Sequence, residues 1–590
     1  MVKLKIDNIE VEVEAGTSIL DAARQVQINI PTLCKHPDVE PSAGCGMCIV
    51  KVGGRIMRSC CTPVSEGMEV ITTDKELTEI RKTVLKLILS NHPNDCLNCS
   101  RSGQCELQEL TSEMGIDKNE IVKLVSQEPK DDTTCAVVFD PAKCIACGRC
   151  VNICQNIQNV WALSYLHRGF GTKVTGAKDT KLGDSPCVRC GQCAAHCPTG
   201  AITDYDNTQK VSALLNDKEN ITVVQIAPAV RVALGEEFGF DFGSNLTGKI
   251  YAALRRLGFS KVFDTNFGAD LTIIEEATEF VKRFTTKDNL PMFTSCCPAW
   301  VDYLEKYYPE NLKNLSSCKS PHQMLGAIAK TYWAEKAGVD ASKVKVVSVM
   351  PCTAKKWENV RDETMNSSGY KDVDEVITTR ELAKMIKASG INFKSLKDEE
   401  ADNPLGEYSG AATIFGVTGG VMTAALRTAY FYITGEELGE LNFKAIEGLD
   451  AVKVAEVNIK GTIVRIAVVN GLGNAEPVLE AINKAQAEGT ELPYHFVEVM
   501  ACPGGCIAGG GQPRVMGATF DKPWGINNEI RKLRSKGLNT EDEEAKNRLS
   551  HKNESIKKLY ADYLGEAGGE KSHHLLHTKY HKRDLYKKES

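Results

Sequence analysis

Long apolar runs are missing from this sequence. No stretch of about 18 uninterrupted apolar residues occurs, and candidates such as TIIEEATEFV are broken by charge, so no membrane span is expected. The opening MVKLKIDNIEVEVE lacks the basic and apolar blocks of a secretion signal and alternates like a strand. A basic surplus is missing as well. The 71 Lys and Arg stand against 77 Asp and Glu, a net charge of -6 that leaves no electrostatic footprint for nucleic acid. No convincing nucleotide fingerprint follows a strand either, since GLGNAEP is one lone Gly-rich turn, so any NAD(P)H is handled by another chain. These absences imply a cytoplasmic protein with small or protein partners. Its 590 residues exceed what one hydrophobic core sustains, so several domains are expected.

What the sequence has in excess is cysteine, 23 residues mostly in CxxC-type clusters. Disulfides are rare in a reducing compartment, so thiolate-metal ligation is the better reading. The strongest signal is an internal repeat, CIACGRCVNIC at 144–154 and CVRCGQCAAHC at 187–197, each CxxCxxCxxxC. In two-cluster ferredoxins the fourth cysteine of each run serves the other cluster. One 4Fe-4S cluster is therefore expected on Cys144, Cys147, Cys150 and Cys197, and a second on Cys187, Cys190, Cys193 and Cys154. Structural zinc would leave the triple spacing unexplained. The first run is followed by Gln155 where the motif expects the proline found as Pro198 in the second.

The N-terminal region, 1–78, opens as a hairpin turning at Asp7-Asn8, and Thr17 stands where it would cap the short helix SILDAARQV. Its cysteines, Cys34, Cys45, Cys48 and Cys60, resemble the ligands of plant-type 2Fe-2S ferredoxins. Cys60 is preferred to its neighbour Cys61 because the resembling sequences place a ligand three residues before a proline, here Pro63. Residues 79–130, mostly helical in pattern, carry His92, Cys96, Cys99 and Cys105, which look like a one-histidine, three-cysteine 4Fe-4S site. A lone histidine is more often a cap or loop residue, but here three cysteines lack a fourth ligand. From about 219 to 523 apolar strand-like runs alternate with helical stretches, the pattern of an α/β domain. Residues 524–590 turn polar and helical. The expected whole is a multidomain α+β and α/β chain: β-grasp 2Fe-2S domain, histidine-containing 4Fe-4S domain, tandem 4Fe-4S domain at 136–209, two-lobed α/β catalytic domain and helical C-terminal segment.

Three segments of the α/β region, TSCCPAW (294–300), MPCTAKKWE (350–358) and EVMACPGGCIAGGGQP (498–513), resemble the signature loops of FeFe-hydrogenases. With the relay motifs, the resemblance runs over nearly the whole chain. It implies that Cys297, Cys352, Cys502 and Cys506 bind a 4Fe-4S cubane bridged through Cys506 to a two-iron subsite carrying CO, cyanide and an azadithiolate, together the H-cluster. It also implies that Lys355 donates to a cyanide and that Met350, Met500 and Pro228 wall the pocket. Cys296 would carry protons to and from the subsite, followed by Glu276, Ser316, Glu279 and Arg283. Without the resemblance, EEATEFVKR reads as a surface helix with a Glu279–Arg283 pair, Lys355 as a solvated lysine, and the two methionines and proline as ordinary core. His322 stands where relatives often have Gln. Cys61, Cys135 and Cys318 are left as small buried thiols.

The implied reaction is the interconversion of H2 with protons and electrons, made possible by dedicated maturation enzymes. Electrons would pass to soluble ferredoxin or to flavin- and iron-sulfur-bearing NAD(P)H-oxidising subunits, the latter suggested by the likeness of INIPTLCKHP to dehydrogenase-complex subunits. The C-terminal stretch resembles the small subunit of two-chain members, fused here. Its histidines, His573, His574, His577 and His581, read as part of a helix and arm wrapping the catalytic domain, with metal binding the lesser reading. Two rivals remain open on the sequence: a non-catalytic relay subunit of a dehydrogenase complex, which leaves the three signature loops unexplained, and an assembly factor, which would lack the full relay.

Overall fold

In a computed structural model the chain is described over residues 1–117, 121–126, 128–439, 441, 443–446, 449–514 and 528–587. The expected boundary at 523/524 and part of region 79–130 lie outside the described residues. The opening hairpin forms from Val2–Ile6 and Ile9–Val13, with Leu4, Ile6, Val11 and Val13 buried while the charged residues between them point outward. Asp7 and Asn8 adopt φ of 46° and 66°, the left-handed pair that a two-residue hairpin turn requires. Glu69–Ile71, Ile49–Val52 and Arg55–Arg58 complete a five-stranded sheet, and helix Ile19–Gln25 packs its apolar face on it. The helix is capped by Ser18, not Thr17. Ser18 has the extended backbone and its hydroxyl accepts from Asp21 N at 3.1 Å, whereas the Thr17 backbone is engaged with Glu14 and Val64.

Helix Lys75–Ser90 begins at an Asp74 cap and runs across the expected 78/79 boundary. Its Leu85 and Leu89 share a core with Leu33 and Met47 of the first cysteine loop and with Leu107 and Leu110 of helix Glu106–Glu113. Region 79–130 is less helical than its pattern suggests: from His92 to Cys105 the backbone turns repeatedly, with a single short 3-10 turn at Cys96–Asn98. In the tandem region both repeats fold alike. Ala146 and Gly148 in one, Arg189 and Gly191 in the other, take positive φ and lead into the short helices Arg149–Asn152 and Gln192–His196.

Two sheets build the α/β region. Lys261–Asp264, Ile221–Ile226, Val344–Met350 and Glu375–Thr378 form an all-parallel sheet in that order. Met292–Phe293, Phe496–Met500 and Thr462–Asn470 are parallel in the second, extended by the antiparallel Leu449–Ile459 and Lys444–Ile446. The inner strands are buried along nearly their whole length, including Gln225, Ser348 and Glu498, because helices cover both faces. The 22-residue helix Thr265–Thr286 lies between the lobes, giving Phe267, Leu271 and Ile274 to one core and Ala269, Ile273, Ala277 and Phe280 to the other.

The C-terminal helices Asn528–Glu544, Glu554–Leu559 and Glu570–Leu576 and the arm after them lie on this unit. Ion pairs with at least one buried partner fasten them: Arg231 with Glu541, Arg534 with Glu236, and Arg583 with Glu305. Among the described residues no helix is long and apolar enough to cross a membrane.

Candidate active site

Four strand ends meet between the lobes, where an open α/β sheet offers its ligand crevice. Pro228 follows Ile221–Ile226, Cys296 and Cys297 follow Met292–Phe293, Cys352 and Lys355 follow Val344–Met350, and Cys502 to Cys506 follow Phe496–Met500. Together with Met350 and Met500 they line one cavity of about 80 Å3. That is several times the roughly 10–15 Å3 one water needs. Gly505, at φ 95°, makes the tight return between Cys502 and Cys506, and a Cβ there would lie 2.6 Å from Thr418 N.

The chemistry of the cavity fits an iron-sulfur group. Cys297, Cys352, Cys502 and Cys506 are unpaired thiols facing one another, and burial together with neighbouring thiols pushes Cys502 up, with Cys352 and Cys297 foremost. Four such thiols can ionise together there only around a cationic metal centre, which an iron-sulfur core supplies. Cys297 Sγ also accepts from Ala501 N at 3.5 Å.

Lys355 Nζ donates to Cys296 O at 2.9 Å and to Glu358 Oε2 at 2.8 Å. An ammonium has three donors, so one remains for the cavity. Burial opposes its charge, but Glu358 outweighs burial and raises its pKa. Glu358 in turn is held down to about 2, against burial, by Lys355 and His322. His322 lines the cavity, with Nε2 2.8 Å from Glu358 Oε2 and Nδ1 3.2 Å from Ser348 Oγ. Burial and Lys355 lower its pKa, which keeps it neutral. Glu358 escaped notice in the sequence, although its position three residues after Lys355 on one helix is the available signal.

Cys296 is beside Glu276, and burial and that carboxylate push its thiol well up, so it stays protonated. Glu276 is 1% exposed, and its carboxylate makes no close hydrogen bond among the described residues, the Ser316 hydroxyl and the Ser295 backbone being its polar neighbours. Burial and the charge of Glu279 raise it to about 8. Ser316 Oγ donates to Glu279 Oε2 at 3.1 Å, and Arg283 Nη2 to Glu279 Oε1 at 2.6 Å. The helix bearing Glu276, Glu279 and Arg283 is not a surface helix: most residues from Thr265 through Phe280 are buried.

The relay cysteines also gather. Cys34 reaches Cys45 and Cys60, and Cys48 reaches Cys60, all within hydrogen-bond range. Cys61 is exposed rather than buried, because it lies in the turn that follows strand Arg55–Arg58, where its Sγ is 3.6 Å from Arg58 O. Cys135 is half-buried and Cys318 buried. Cys150 faces Cys147, Cys144 and Cys197, while Cys190 and Cys193 face Cys187 and Cys154. Backbone N–H groups of Ala146 and Arg189 point at the sulfurs of Cys144 and Cys187, both at 3.4 Å, as ligand thiolates require. His92 is buried, with Nδ1 3.1 Å from Asn94 Oδ1 and accepting from Asn94 N at 3.2 Å, which leaves Nε2 as its ring nitrogen for a metal. Cys99 abuts Gly200, where a Cβ would lie 2.7 Å from its sulfur. Cys190 lines the central cavity itself, so the tandem region touches the site directly.

Residues 220–510 match the iron only hydrogenase large subunit, C-terminal domain, and 528–583 the iron hydrogenase small subunit. A 2Fe-2S iron-sulfur cluster binding domain matches 1–75, the NADH-ubiquinone oxidoreductase-G iron-sulfur binding region 81–120, and a 4Fe-4S dicluster domain 143–201. The NADP-reducing hydrogenase subunit HndD of Solidesulfovibrio fructosivorans is 45% identical over 99% of this chain and 99% of its own. Iron hydrogenase 1 of Clostridium pasteurianum is 41% identical over 98% and 99%. The solved apo FeFe-hydrogenase HydA1 of Chlamydomonas reinhardtii is 40% identical, covers 64% of this chain and all of its own (100%), and superposes with a TM-score of 0.56. The chain belongs to the iron-only hydrogenase family. It is a modular hydrogenase, an oxidoreductase acting on hydrogen, whose 2Fe-2S and 4Fe-4S regions accompany an H-cluster domain.

Proposed function

We propose that Cys297, Cys352, Cys502 and Cys506 hold the cubane of the H-cluster, with Cys506 bridging to a two-iron part bearing CO, cyanide and azadithiolate. When bound, that group supplies the redox metal at which hydrogen is made or split. Lys355 anchors it with its remaining N–H donor, a charge-assisted bond to an anionic ligand. Pro228, Met350 and Met500 exclude water. Cys296 exchanges the proton at the cavity, and Glu276, Ser316 and Glu279 carry it outward. The observation that carries this reading is the convergence of four free thiols, Lys355 and the protonated Cys296 on one enclosed cavity.

The relay reading is of one 2Fe-2S cluster on Cys34, Cys45, Cys48 and Cys60, and three 4Fe-4S clusters. One is held by His92, Cys96, Cys99 and Cys105, and the others by the two crossed sets of the tandem repeat, within domains 1–78, 79–130, 136–209, 219–523 and 524–590. With the H-cluster this makes roughly 20 irons. The likeness to a subunit of an NADP-reducing hydrogenase supports work in the cytoplasm beside flavin- and iron-sulfur-bearing NAD(P)H-oxidising subunits, with ferredoxin as the other partner. The test is an infrared spectrum of anaerobic protein made with the maturation enzymes. Iron-bound CO and cyanide stretches are expected; fully clustered, matured protein without them would reduce the chain to a relay.

A further inference from the structure

Arg283 is an unsuitable end for a proton route. A guanidinium stays protonated throughout the working pH range. Here its Nη2 donates to Glu279 Oε1 at 2.6 Å and Leu315 O at 2.8 Å, and its Nη1 to Asn314 O at 3.1 Å and to Asn289 O and Lys313 O at 3.3 Å. Arg283 holds Glu279 in place and has no proton to release.

The other oxygen of the same carboxylate leads elsewhere. Glu279 Oε2 lies 3.2 Å from Ser317 Oγ, and that hydroxyl lies 2.8 Å from Nδ1 of His577, from the C-terminal segment, so its single hydrogen can serve only one of the two at a time. His577 Nε2 is 3.1 Å from Glu275 Oε2, a carboxylate only 1% exposed that also takes the Tyr560 hydroxyl at 2.5 Å and Gly568 N at 2.7 Å. An acceptor with no proton of its own fixes the tautomer: hydrogen sits on Nε2 and Nδ1 accepts from serine. The ring is nearly enclosed, its side chain 4% exposed, and the exposed His573 stacks on it with centroids 4.5 Å apart. The ionisable groups facing His577 are Glu275 and Glu279 of the long helix, Cys318 of the loop before Pro321 and His573 of its own segment, with Tyr560 behind Glu275.

We propose that His577 is the group through which protons pass between Glu279 and water, by way of the Ser317 hydroxyl. Protonated Glu279 gives its proton to Ser317 Oγ as the Ser317 hydrogen moves to His577 Nδ1. Glu279 is left as carboxylate and His577 as an imidazolium balanced by Glu275. Loss of the Nδ1 proton to water, reaching the 4% of the side chain that is exposed, restores the neutral ring with its hydrogen on Nε2, and no electron moves. An imidazole can accept a proton at one nitrogen while donating from the other, which suits the ring to this step. The inference rests on Glu279 being a proton carrier.

The test uses the full-length, cluster-loaded enzyme. His577→Gln keeps an amide able to bond Ser317 and Glu275 but cannot relay a proton. It is expected to lower turnover on the order of ten-fold or more, with rescue by imidazole added to the buffer and with CO and cyanide infrared bands unchanged. Independently of turnover, the carbonyl-stretch band of protonated Glu279 is expected to titrate at a different pH in the variant. Unchanged turnover together with unchanged Glu279 titration would overturn the proposal in favour of direct exchange between water and Glu279, whose side chain is 15% exposed. A loss that imidazole does not rescue overturns it too, because His577 is then only an anchor for the arm. Glu279→Gln separates the two readings: normal turnover there ends both, whereas an inactive Glu279→Gln beside a silent His577→Gln ends only this one.

Discussion

Lys355 spends two of its three N–H donors on the protein itself, Cys296 O and Glu358. Replacing it with methionine keeps the length and removes the charge. Hydrogen bonds to charged groups contribute about 1.5–3 kcal/mol, so Lys355→Met is expected to weaken retention of the two-iron part on the order of 10–100-fold. Iron content and infrared bands after gel filtration check this, with the cubane still present. Glu276 allows a prediction about pH. Its folded pKa, about 8, lies above the ordinary glutamate value of about 4.3, so the native state binds the extra proton in that window. Stability is therefore full below the lower value, falls as pH rises through the window and is level above it. The fall integrates to the order of 5 kcal/mol for a group this buried. Glu276→Gln should flatten the dependence of thermal inactivation on pH between about 4.3 and 8 while slowing proton delivery; a dependence unaltered from the natural protein would contradict the assignment.

Single elements set how closely the relay meets the site. Gly191, at φ 74°, starts the helix Gln192–His196, and a Cβ there would lie 2.2 Å from Thr353 Oγ1. Opposite it, a Cβ on Gly510 would lie 2.4 Å from Cys190 O and 2.7 Å from Gly191 Cα. Gly510→Ala must force these two backbones apart. Overpacking of this kind costs about 1–3 kcal/mol, so the thermal midpoint should fall and electron transfer into the site slow, with the infrared bands retained. Flash-initiated reduction kinetics would show it, and a rate equal to that of the natural protein would mean the contact is not on the route. The sequence disclosed the elements here better than their contacts. Cysteine spacing is a local code, so the tandem 4Fe-4S region was legible, as were the strands ending at the signature loops. The Glu358 link between Lys355 and His322, and the Glu275 link to His577, join residues whose partners are chosen by tertiary packing. Thr17 lost the cap to Ser18 by one residue for the same reason: either hydroxyl serves, and the strand connection at Val64 decides.

At the scale of the molecule, contacts spread over the whole chain hold the relay regions to the catalytic lobes. Asp38, beside the first cysteine loop, meets both Arg531 of the C-terminal segment at 2.6 Å and His196 of the tandem region at 3.0 Å. Lys356, next to the anchor lysine, reaches Tyr205 O at 2.6 Å and Glu381 at 2.7 Å, fastening the end of the tandem region to the catalytic sheet. These are joints between units that each have an apolar core of their own. The solved algal relative, matched over its full length by 64% of this chain, indicates that such a catalytic unit exists without a relay of this size. Removing residues 1–209 should therefore leave a protein that accepts the H-cluster, shows its infrared bands and evolves hydrogen from a small reduced dye. Stability should drop, because Arg531 and Lys356 lose partners. Evolution from a protein donor should fall far more than evolution from the dye, since the clusters that meet the donor are gone. If the truncated chain worked equally well with both, the N-terminal clusters would not be the entry for electrons, and the donor would have to dock against the catalytic lobes near Cys190.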